Sequence, residues 1–266
     1  MKIDEQIEIT KKREYLIYKH NNLAQKSRFE LSVPEQKTIA YICSMIKPVD
    51  DSVAENGGPF QLEYTFDIHT YAAVCGLQSD GGQLYNDTRV MLKGLLTKAV
   101  YLVLPDGTEG MVTWFTGVWT NKRSGKIEIE INKHLAPYLF GLKKDFFAYE
   151  LLNILAMKSQ YSIRIYEILR SYANKKLISF EIDKLKKMLM VDEVKSYSNF
   201  KDFRKKVLEI AMKEINEHTD LIISYEPITK GRKVVQVEFY MSKKPYNDTK
   251  LIHYKTNDEL DMKRSK

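Results

Sequence analysis

Cysteine and histidine are scarce in this chain of 266 residues, and neither residue type is spaced for metal binding. Cys43 and Cys75 lie in apolar segments that are typical of small buried side chains, and the five histidines are scattered singly. A redox centre, a metal site and a metal-dependent nickase with a tyrosine nucleophile are therefore not expected. A phosphate-binding loop of the ATPase type is also missing, so we expect neither catalytic residues nor a cofactor.

Long apolar runs are missing as well. No stretch approaches the roughly 18 consecutive apolar residues of a membrane helix, and the opening segment MKIDEQIEITKKREY alternates in charge instead of forming the apolar core of a signal peptide. We therefore expect a cytoplasmic protein that makes no membrane contact. With 44% hydrophobic residues but only 7 prolines and 12 glycines, the chain can bury a core, and its length suits two domains.

The formal net charge of +7 is concentrated in one segment of the chain. Residues 184–213 hold nine Lys and Arg side chains against four Asp and Glu side chains. A positive patch of this kind attracts a polyanion such as DNA by releasing counterions. A solvated, lysine-rich helix face would give the same count, so charge alone leaves both interpretations open.

The first half of the chain predicts a helix, a strand, two helices and a hairpin, in that order. Ser32 and Glu35 form an S-x-x-E capping box, with Pro34 in the opening turn, for a helix that runs to about Met45. An insertion at 49–59 is expected to be a surface loop. Periodicity and turn residues then predict a strand over 60–68, helices over 67–75 and 83–98, and strands over 101–104, 111–119 and 126–131.

The second half predicts the same order of elements. It contains a long helix from about Tyr149 to Tyr172, a strand over 178–181, helices over 183–189 and 199–217, and a hairpin over 221–241. We therefore predict an α+β fold of two tandem winged-helix domains. The N-terminal domain is predicted to span 1–131 and the C-terminal domain 132–245, and the basic charge of the second favours it as the main DNA-binding module. The polar tail, 246–266, is expected to be disordered.

The predicted helix 199–217 has an apolar face and a basic face when its residues are placed 100° apart. The apolar face holds Phe200, Phe203, Val207, Ile210, Ala211 and Ile215, and the opposite face holds Lys201, Asp202, Lys205, Lys206, Glu209 and Lys213. Arg204 lies at the margin, where its stem can cover the core while the guanidinium points outward.

The counterpart helix 83–98 divides in the same way. Leu84, Met91, Leu92, Leu95 and Leu96 are predicted to face inward, and Asn86, Arg89, Lys93 and Thr97 outward. Asn and Arg can contact base edges through two hydrogen bonds, whereas Lys mostly fixes register on phosphate. For both helices, an ordinary solvent-exposed face stays the alternative.

Three segments of the chain, in this order, resemble a known protein family. They are Asn22-Leu23 followed by LSVPEQKTIAYI, the central segment INKHLAPYLFGLKKDFFAYELLNILAMKSQYSIRIYEILRSY, and YSNFKDFRKKVLEIAMKEINEHTDLIISYEP with a hairpin that ends in VEFYM. This pattern, over about residues 15–241, is similar to the Rep_3 family, the initiator replication proteins of iteron-containing plasmids. The chain departs from the family in its insertion at 49–59 and in the turn KSY, which lacks the usual glycine-rich lead.

The resemblance implies a function in DNA replication initiation. Members of the family bind direct repeats in double-stranded DNA at a plasmid origin, help to melt an adjacent A·T-rich segment, and recruit the host initiator and helicase. Many also repress their own gene as dimers, so a monomer–dimer equilibrium is expected, with DNA contacts and the dimer surface in the N-terminal domain, 1–131. Because winged helices do not themselves specify initiation, a transcription regulator without initiator activity stays the alternative.

The resemblance also implies positions for DNA contacts. The recognition helix begins at Ser198, with Lys201, Arg204, Lys205 and Lys206 facing DNA. Ser196 and Tyr197 lie ahead of it, near the backbone amides of its first turn, which form a natural phosphate site. Lys158 and Ser159 match the family's K-S-x-Y pattern and imply a phosphate contact, although helix packing with structural roles for Arg164 and Tyr166 explains the segment equally well.

The tip of the last predicted hairpin is the candidate wing. Lys230, Arg232 and Lys233 surround Gly231, which permits a tight turn. We expect the three basic side chains to touch the flanking minor groove or phosphate when the recognition helix lies in the major groove.

Overall fold

The computed structural model describes residues 3–46, 60–77, 81–104, 106–172 and 174–264. The insertion predicted as a surface loop, 49–59, lies outside these ranges. Within them, the predicted order of elements occurs twice, and the fold is α+β with two tandem winged-helix modules, as the sequence predicts. Cys43 and Cys75 are both buried, as predicted.

The first module contains the predicted capped helix and ends in a hairpin. Its elements are α1 (Ile3–Arg13), β1 (Leu16–His20), α2 (Asn21–Gln25), β2 (Arg28–Phe29), α3 (Val33–Met45), β3 (Glu63–Asp67), α4 (Ile68–Cys75), α5 (Gly81–Thr97), β4 (Ala99–Val103), β5 (Glu109–Thr113), β6 (Phe115–Asn121) and β7 (Lys126–Ile131). The predicted capping box is confirmed, because the amide of Ser32 donates to Glu35 Oε2 at 2.7 Å. Asp67 caps α4 by accepting the amide hydrogens of His69 and Thr70.

The prediction of a single strand over 111–119 is wrong, because two strands in different sheets occupy these residues. β5 pairs with β4 in a sheet ordered β2-β4-β5, whereas β6 pairs with β7 in a sheet ordered β3-β7-β6. Trp114 separates the two strands, and its side chain is buried in the core. Its carbonyl accepts the amide hydrogen of Asn132 at 3.0 Å, which holds the chain where it passes from one sheet to the other.

The predicted long helix from Tyr149 to Tyr172 is also wrong. After a 3₁₀ turn (Lys133–Leu135) and the short helix α6 (Ala136–Leu139), the segment contains β8 (Phe146–Glu150), α7 (Leu152–Leu155) and α8 (Gln160–Arg170). β8 pairs with β1 instead of continuing a helix. Ser159 has an extended backbone and caps α8, so the helical periodicity on either side belongs to two separate helices.

The second module repeats the topology of the first. It continues with β9 (Leu177–Glu181), α9 (Ile182–Met188), a 3₁₀ turn (Lys195–Ser198), helix α10, β10 (Leu221–Lys230) and β11 (Lys233–Lys243). Helix α10 consists of α-helical turns over Phe200–Phe203 and Glu209–His218, joined by a π-helical turn over Arg204–Leu208. The sheet order β10-β11-β9 matches β6-β7-β3, since the hairpin pairs with the strand that follows α3 in the first module and with the strand that follows α8 in the second.

The two modules meet through α8. Arg164 on this helix is 4% exposed, and its Nη2 atom donates to the carbonyls of Ala24 and Ser27 in the first module at 2.9 and 2.8 Å. Lys19 Nζ on β1 lies 2.5 Å from Glu167 Oε1 on α8, and both side chains are buried. Because β1 and β8 also pair across the boundary predicted after residue 131, that boundary stays a prediction.

The prediction that residues 246–266 are disordered is wrong for the residues that the structure describes. They form helix α11 (Tyr246–Arg264). Leu260 and Thr256 on α11 are each 2% exposed, and Asp261 pairs with Arg13 on α1. Contacts with the rest of the protein stabilise a helix whose polar composition predicts none.

Candidate nucleic-acid interface

Helix α10 presents a basic face at the surface of the second module. Its N-cap is Asn199, whose Oδ1 atom accepts the amide hydrogen of Lys201 at 2.9 Å. The basic side chains predicted to face outward are all exposed, namely Lys201, Arg204, Lys205 and Lys206. The predicted free face is therefore confirmed, while its contact with DNA stays a prediction.

The π-helical turn in α10 shifts the buried face by one residue. Leu208 is 1% exposed, whereas Ile210, which was predicted to face inward, is 41% exposed. The prediction for Ile210 is wrong because a π turn contains one residue more than an α turn. The same turn brings Arg204 and Glu209, five residues apart, within 3.2 Å of each other on the exposed side.

The residues ahead of α10 form a 3₁₀ turn rather than the start of the recognition helix. Ser196 and Ser198 are exposed, and Ser198 Oγ donates to the carbonyl of Lys195 at 2.8 Å. The Tyr197 ring is half-buried, with its centroid 6.1 Å from the Phe203 ring. Tyr197 therefore packs the turn against α10, and the helix begins at Phe200, after its N-cap Asn199, instead of at Ser198 as predicted.

The wing of the second module has an exposed, basic tip. Lys230, Arg232 and Lys233 are all exposed, and Gly231 between them has a φ of +65°. No heavy atom lies within 4 Å of a Cβ built on Gly231, so a larger side chain would fit. Glycine is favoured here because of the positive φ angle.

A groove with a volume of about 750 Å³ lies between α9, the start of α10 and this wing. Its basic lining consists of Lys186, Lys187, Arg232 and Lys233. Sequence reasoning counted the charges of Lys186 and Lys187 but did not place them at the site. Their position in the short helix before the recognition helix was the available signal, since that helix faces the wing across the groove.

Lys158 and Ser159 lie at the start of α8, where a carboxylate already occupies their backbone amides. The amide of Lys158 donates to Glu214 Oε1 and that of Ser159 to Glu214 Oε2, both at 3.1 Å. The side chain of Lys158 is exposed. Arg164 and Tyr166 are buried and hydrogen-bonded within the fold, as the helix-packing alternative predicts.

In the first module, α5 exposes the predicted polar face. Asn86, Arg89 and Lys93 are exposed, while Leu84, Leu92 and Leu95 are buried. The amphipathic division predicted from periodicity is therefore confirmed for this helix.

The first module also has a basic wing that sequence reasoning missed. The turn between β6 and β7 exposes Lys122, Arg123 and Lys126. Asn121 Oδ1 accepts the amide hydrogen of Arg123 at 3.0 Å, and Gly125 has a φ of +67°, close to that of Gly231. Aligning the two predicted modules by their hairpins would have identified these residues.

Two further findings apply to the part of the chain that the structure describes. No cluster of three or more His, Cys, Asp or Glu side chains is arranged to hold a metal ion. None of the helices there has the length and apolar character needed to span a membrane.

Comparisons with known proteins identify the family. A family model described as "Initiator Replication protein, WH1" matches residues 16–170, and a second, "Initiator Rep protein, WH2", matches residues 181–241. An Escherichia coli replication initiation protein is 29% identical over 220 residues, which cover 78% of this chain but only 64% of the relative. The Escherichia coli PI protein is 24% identical over 255 residues, covering 83% of this chain and 81% of that protein.

A solved structure supports the fold. The crystal structure of Pi initiator protein in complex with iteron DNA aligns with a TM-score of 0.67 at 18% identity, over 87% of this chain and 98% of that chain. At this identity the likeness shows the fold alone. Because the first family model by itself matches more than half of the residues, the protein belongs to the family of initiator replication proteins.

Proposed function

We propose that the protein is a plasmid replication initiator that binds direct repeats, or iterons, in double-stranded DNA at a plasmid origin. The observation that carries this proposal is the duplicated pairing of an exposed polar helix face that carries Arg and Lys with a basic hairpin tip, α5 with the β6–β7 turn and α10 with the β10–β11 turn. Winged helices of this kind place one helix in a major groove. Two linked modules on one face of B-DNA would cover about 20 bp.

Within this proposal, some side chains bind phosphates and position the protein on DNA, and others contact bases and read the DNA sequence. Lys201, Lys205, Lys206 and the two wing tips neutralise phosphates, which makes binding strong and salt-dependent. Arg204 in the second module, and Asn86 and Arg89 in the first, have the donors needed to contact base edges. The exposed ammonium of Lys158 adds a phosphate contact outside the grooves.

The proposal extends to the steps that follow binding. The protein promotes opening of an A·T-rich segment, recruits the host initiator and helicase, and represses its own gene as a dimer, all in the cytoplasm and without a catalytic step. Its support is the replication initiation protein among the relatives and the iteron DNA bound to the Pi initiator protein. A monomer–dimer equilibrium through the first module is supported by strand β5, which is at the edge of its sheet and leaves Met111 71% exposed.

The test is a mobility-shift measurement with the direct repeats that flank the gene, an inverted repeat from the same region, and scrambled DNA of equal length. We expect the direct repeat to bind at least about tenfold more tightly than scrambled DNA, because specific sites exceed nonspecific ones by several kcal/mol. Equal affinity for all three probes would contradict the proposal. Preference for the inverted repeat alone would favour a transcription regulator instead.

A further inference from the structure

The start of helix α11 is attached to the C-terminal end of helix α10. Lys244, directly before α11, donates from Nζ to the carbonyl of Asn216 at 2.5 Å and to that of Thr219 at 2.7 Å. The ammonium thereby binds carbonyls at the C-terminal end of α10, which that helix leaves unpaired. These hydrogen bonds attach the first residues of α11 to the second module.

The middle of α11 binds the segment that connects the modules. His253 Nε2 lies 2.9 Å from Asn153 Oδ1 on α7, and His253 Nδ1 lies 3.1 Å from Glu150 Oε2 at the end of β8. Asn153 in turn donates to Tyr166 OH on α8 at 2.8 Å. α11 is therefore held against the same segment that anchors the second module to the first.

The far end of α11 is attached to the first module through Arg13. This side chain is 0% exposed, and it donates from Nη1 to Asn257 Oδ1 at 2.9 Å and from Nη2 to Asp261 Oδ1 at 3.0 Å. The same guanidinium donates to the carbonyls of Ala73 and Val74 in the last turn of α4. The Arg13 guanidinium on α1 thus binds partners on both α4 and α11, and removing partners from a buried charge is costly.

Apolar contact reinforces this attachment. Gly76 ends α4 with a φ of +65°, and a Cβ built on it would lie 2.5 Å from Leu260 Cδ2. Leu260 is 2% exposed, so its side chain fills the space that the missing Cβ leaves. Gly76 is thus required both by the backbone and by the close approach of α11.

Between its two attachments, α11 borders a cleft with a volume of about 880 Å³. Residues of both modules line this cleft, including Glu14 next to α1, Arg170 on α8 and Asp220 after α10, with Lys250 and Tyr254 contributed by α11 itself. α11 thus forms one wall of a cleft whose other walls come from both modules. Both α1 and α11 lie outside the residues matched by the family models, 16–170 and 181–241.

We propose that α11 is an interdomain strap that fixes the orientation of the second winged-helix module relative to the first. The modules already meet through α8 and the β1–β8 pair, and the strap adds a further attachment on the other side of the cleft. With the strap released, the modules rock about α8. This role concerns the free protein and holds whether or not the proposed DNA function is correct.

The test measures the distance between the two wings by electron paramagnetic resonance. Spin labels are placed on the exposed wing positions through Ser124→Cys and Thr229→Cys. Both native thiols are buried, and Cys43→Ala and Cys75→Ala replace them first, because displacing Leu260 from Gly76 would uncover the segment that contains Cys75. The strap is displaced in the labelled full-length chain by Leu260→Asp, or more mildly by Gly76→Ala, whose new methyl group meets Leu260.

Gly107→Ala is the matched control. Gly107 has a φ of +86°, so alanine is strained there as well, but no heavy atom lies within 4 Å of its Cβ position. We expect a narrow distance distribution in the parent and in Gly107→Ala, and a broadened or shifted one in both strap variants. If Leu260→Asp fails to fold, Gly76→Ala carries the comparison. A parent-like distribution in the folded strap variants would overturn the proposal.

Discussion

Arg204 Nε and Glu209 Oε1 lie 3.2 Å apart on the exposed side of the recognition helix, although the two residues are five positions apart. In a regular α-helix this spacing would separate them, and the π-helical turn brings them together. Both side chains are nearly half exposed, so the pair contributes less than about 1 kcal/mol. The guanidinium is thus paired in the free protein, but the pair is weak enough for an anion to replace Glu209.

Glu209→Gln is expected to strengthen DNA binding. The substitution removes a carboxylate that both repels phosphate and holds Arg204. We expect an affinity gain of about two- to fivefold on iteron and scrambled DNA alike, which corresponds to the modest value of an exposed ion pair. Glu217→Gln, an equal charge change near the end of the same helix, is the control in the mobility-shift assay. A selective loss on the iteron would show instead that Glu209 contacts a base.

Arg204→Ala and Lys205→Ala are expected to affect different properties of DNA binding, the first its sequence specificity and the second its overall strength. Arg204→Ala should weaken iteron binding by about 1–3 kcal/mol and relax specificity at one base pair, since arginine reads guanine through two hydrogen bonds. Lys205→Ala should weaken binding to all sequences and reduce the slope of log affinity against log salt by about one. Titrations at several salt concentrations distinguish the two. Equal losses for Arg204→Ala on iteron and random DNA would remove it from base reading.

The wing of the first module is expected to matter as much as that of the second. Arg123→Ala and Arg232→Ala should each lower affinity for a complete iteron and reduce its salt dependence, because each removes one phosphate contact. Lys11→Ala, which removes an exposed charge from α1, is the control. On a half-site that fits only the second module, Arg232→Ala should still weaken binding while Arg123→Ala has no effect. An Arg123→Ala variant with parent affinity for the complete iteron would exclude the first wing from the interface.

Lys19→Met is expected to destabilise the fold by about 3–5 kcal/mol, because it leaves the buried Glu167 carboxylate without its cation. Adding Glu167→Gln should recover part of this loss, since a neutral amide still accepts the hydroxyl hydrogen of Tyr149. Urea unfolding of the two single variants and the double variant measures the coupling. Strictly additive losses would show that the two side chains do not interact.

The same pair predicts how stability depends on pH. Burial alone would raise the pKa of Glu167, but Lys19 and the Tyr149 hydroxyl hold it below its ordinary value of 4.5. A carboxyl group with a lowered folded-state pKa contributes stability above its unfolded pKa and loses it as the pH falls through the folded-state value. Urea midpoints of the parent should therefore fall more steeply below about pH 4.5 than those of Glu167→Gln. Parallel profiles would contradict this assignment.

Periodicity predicts the elements that pack one apolar face and cap their own ends. The Ser32–Glu35 capping box and the division of α5 between Leu92 and Arg89 are local patterns, and the structure contains both. The duplicated order of helices and hairpins follows from the same kind of pattern. Among the site residues, the exposure of Lys201 and Lys205 was predictable for this reason.

The features that sequence reasoning missed depend on contacts between distant residues. The π turn moves Ile210 outward because the surrounding core accepts Leu208 instead, and both side chains are equally apolar. Helix α11 has a polar sequence, and its formation depends on burial of Leu260 and on the carboxylate of Asp261 binding Arg13. A short segment of sequence does not show which distant residues will pack against it, so these features could not be predicted from local patterns.

The Arg13–Asp261 contact also constrains the order of folding, since its partners are separated by 248 positions along the chain. During synthesis, the guanidinium of Arg13 emerges long before the carboxylate that completes its hydrogen bonds. The first module therefore reaches its final packing around α1 and α4 only after the last helix has been made. A chain interrupted before α11 would keep the hydrogen bonds from Arg13 to Ala73 and Val74 but would lack those to Asn257 and Asp261.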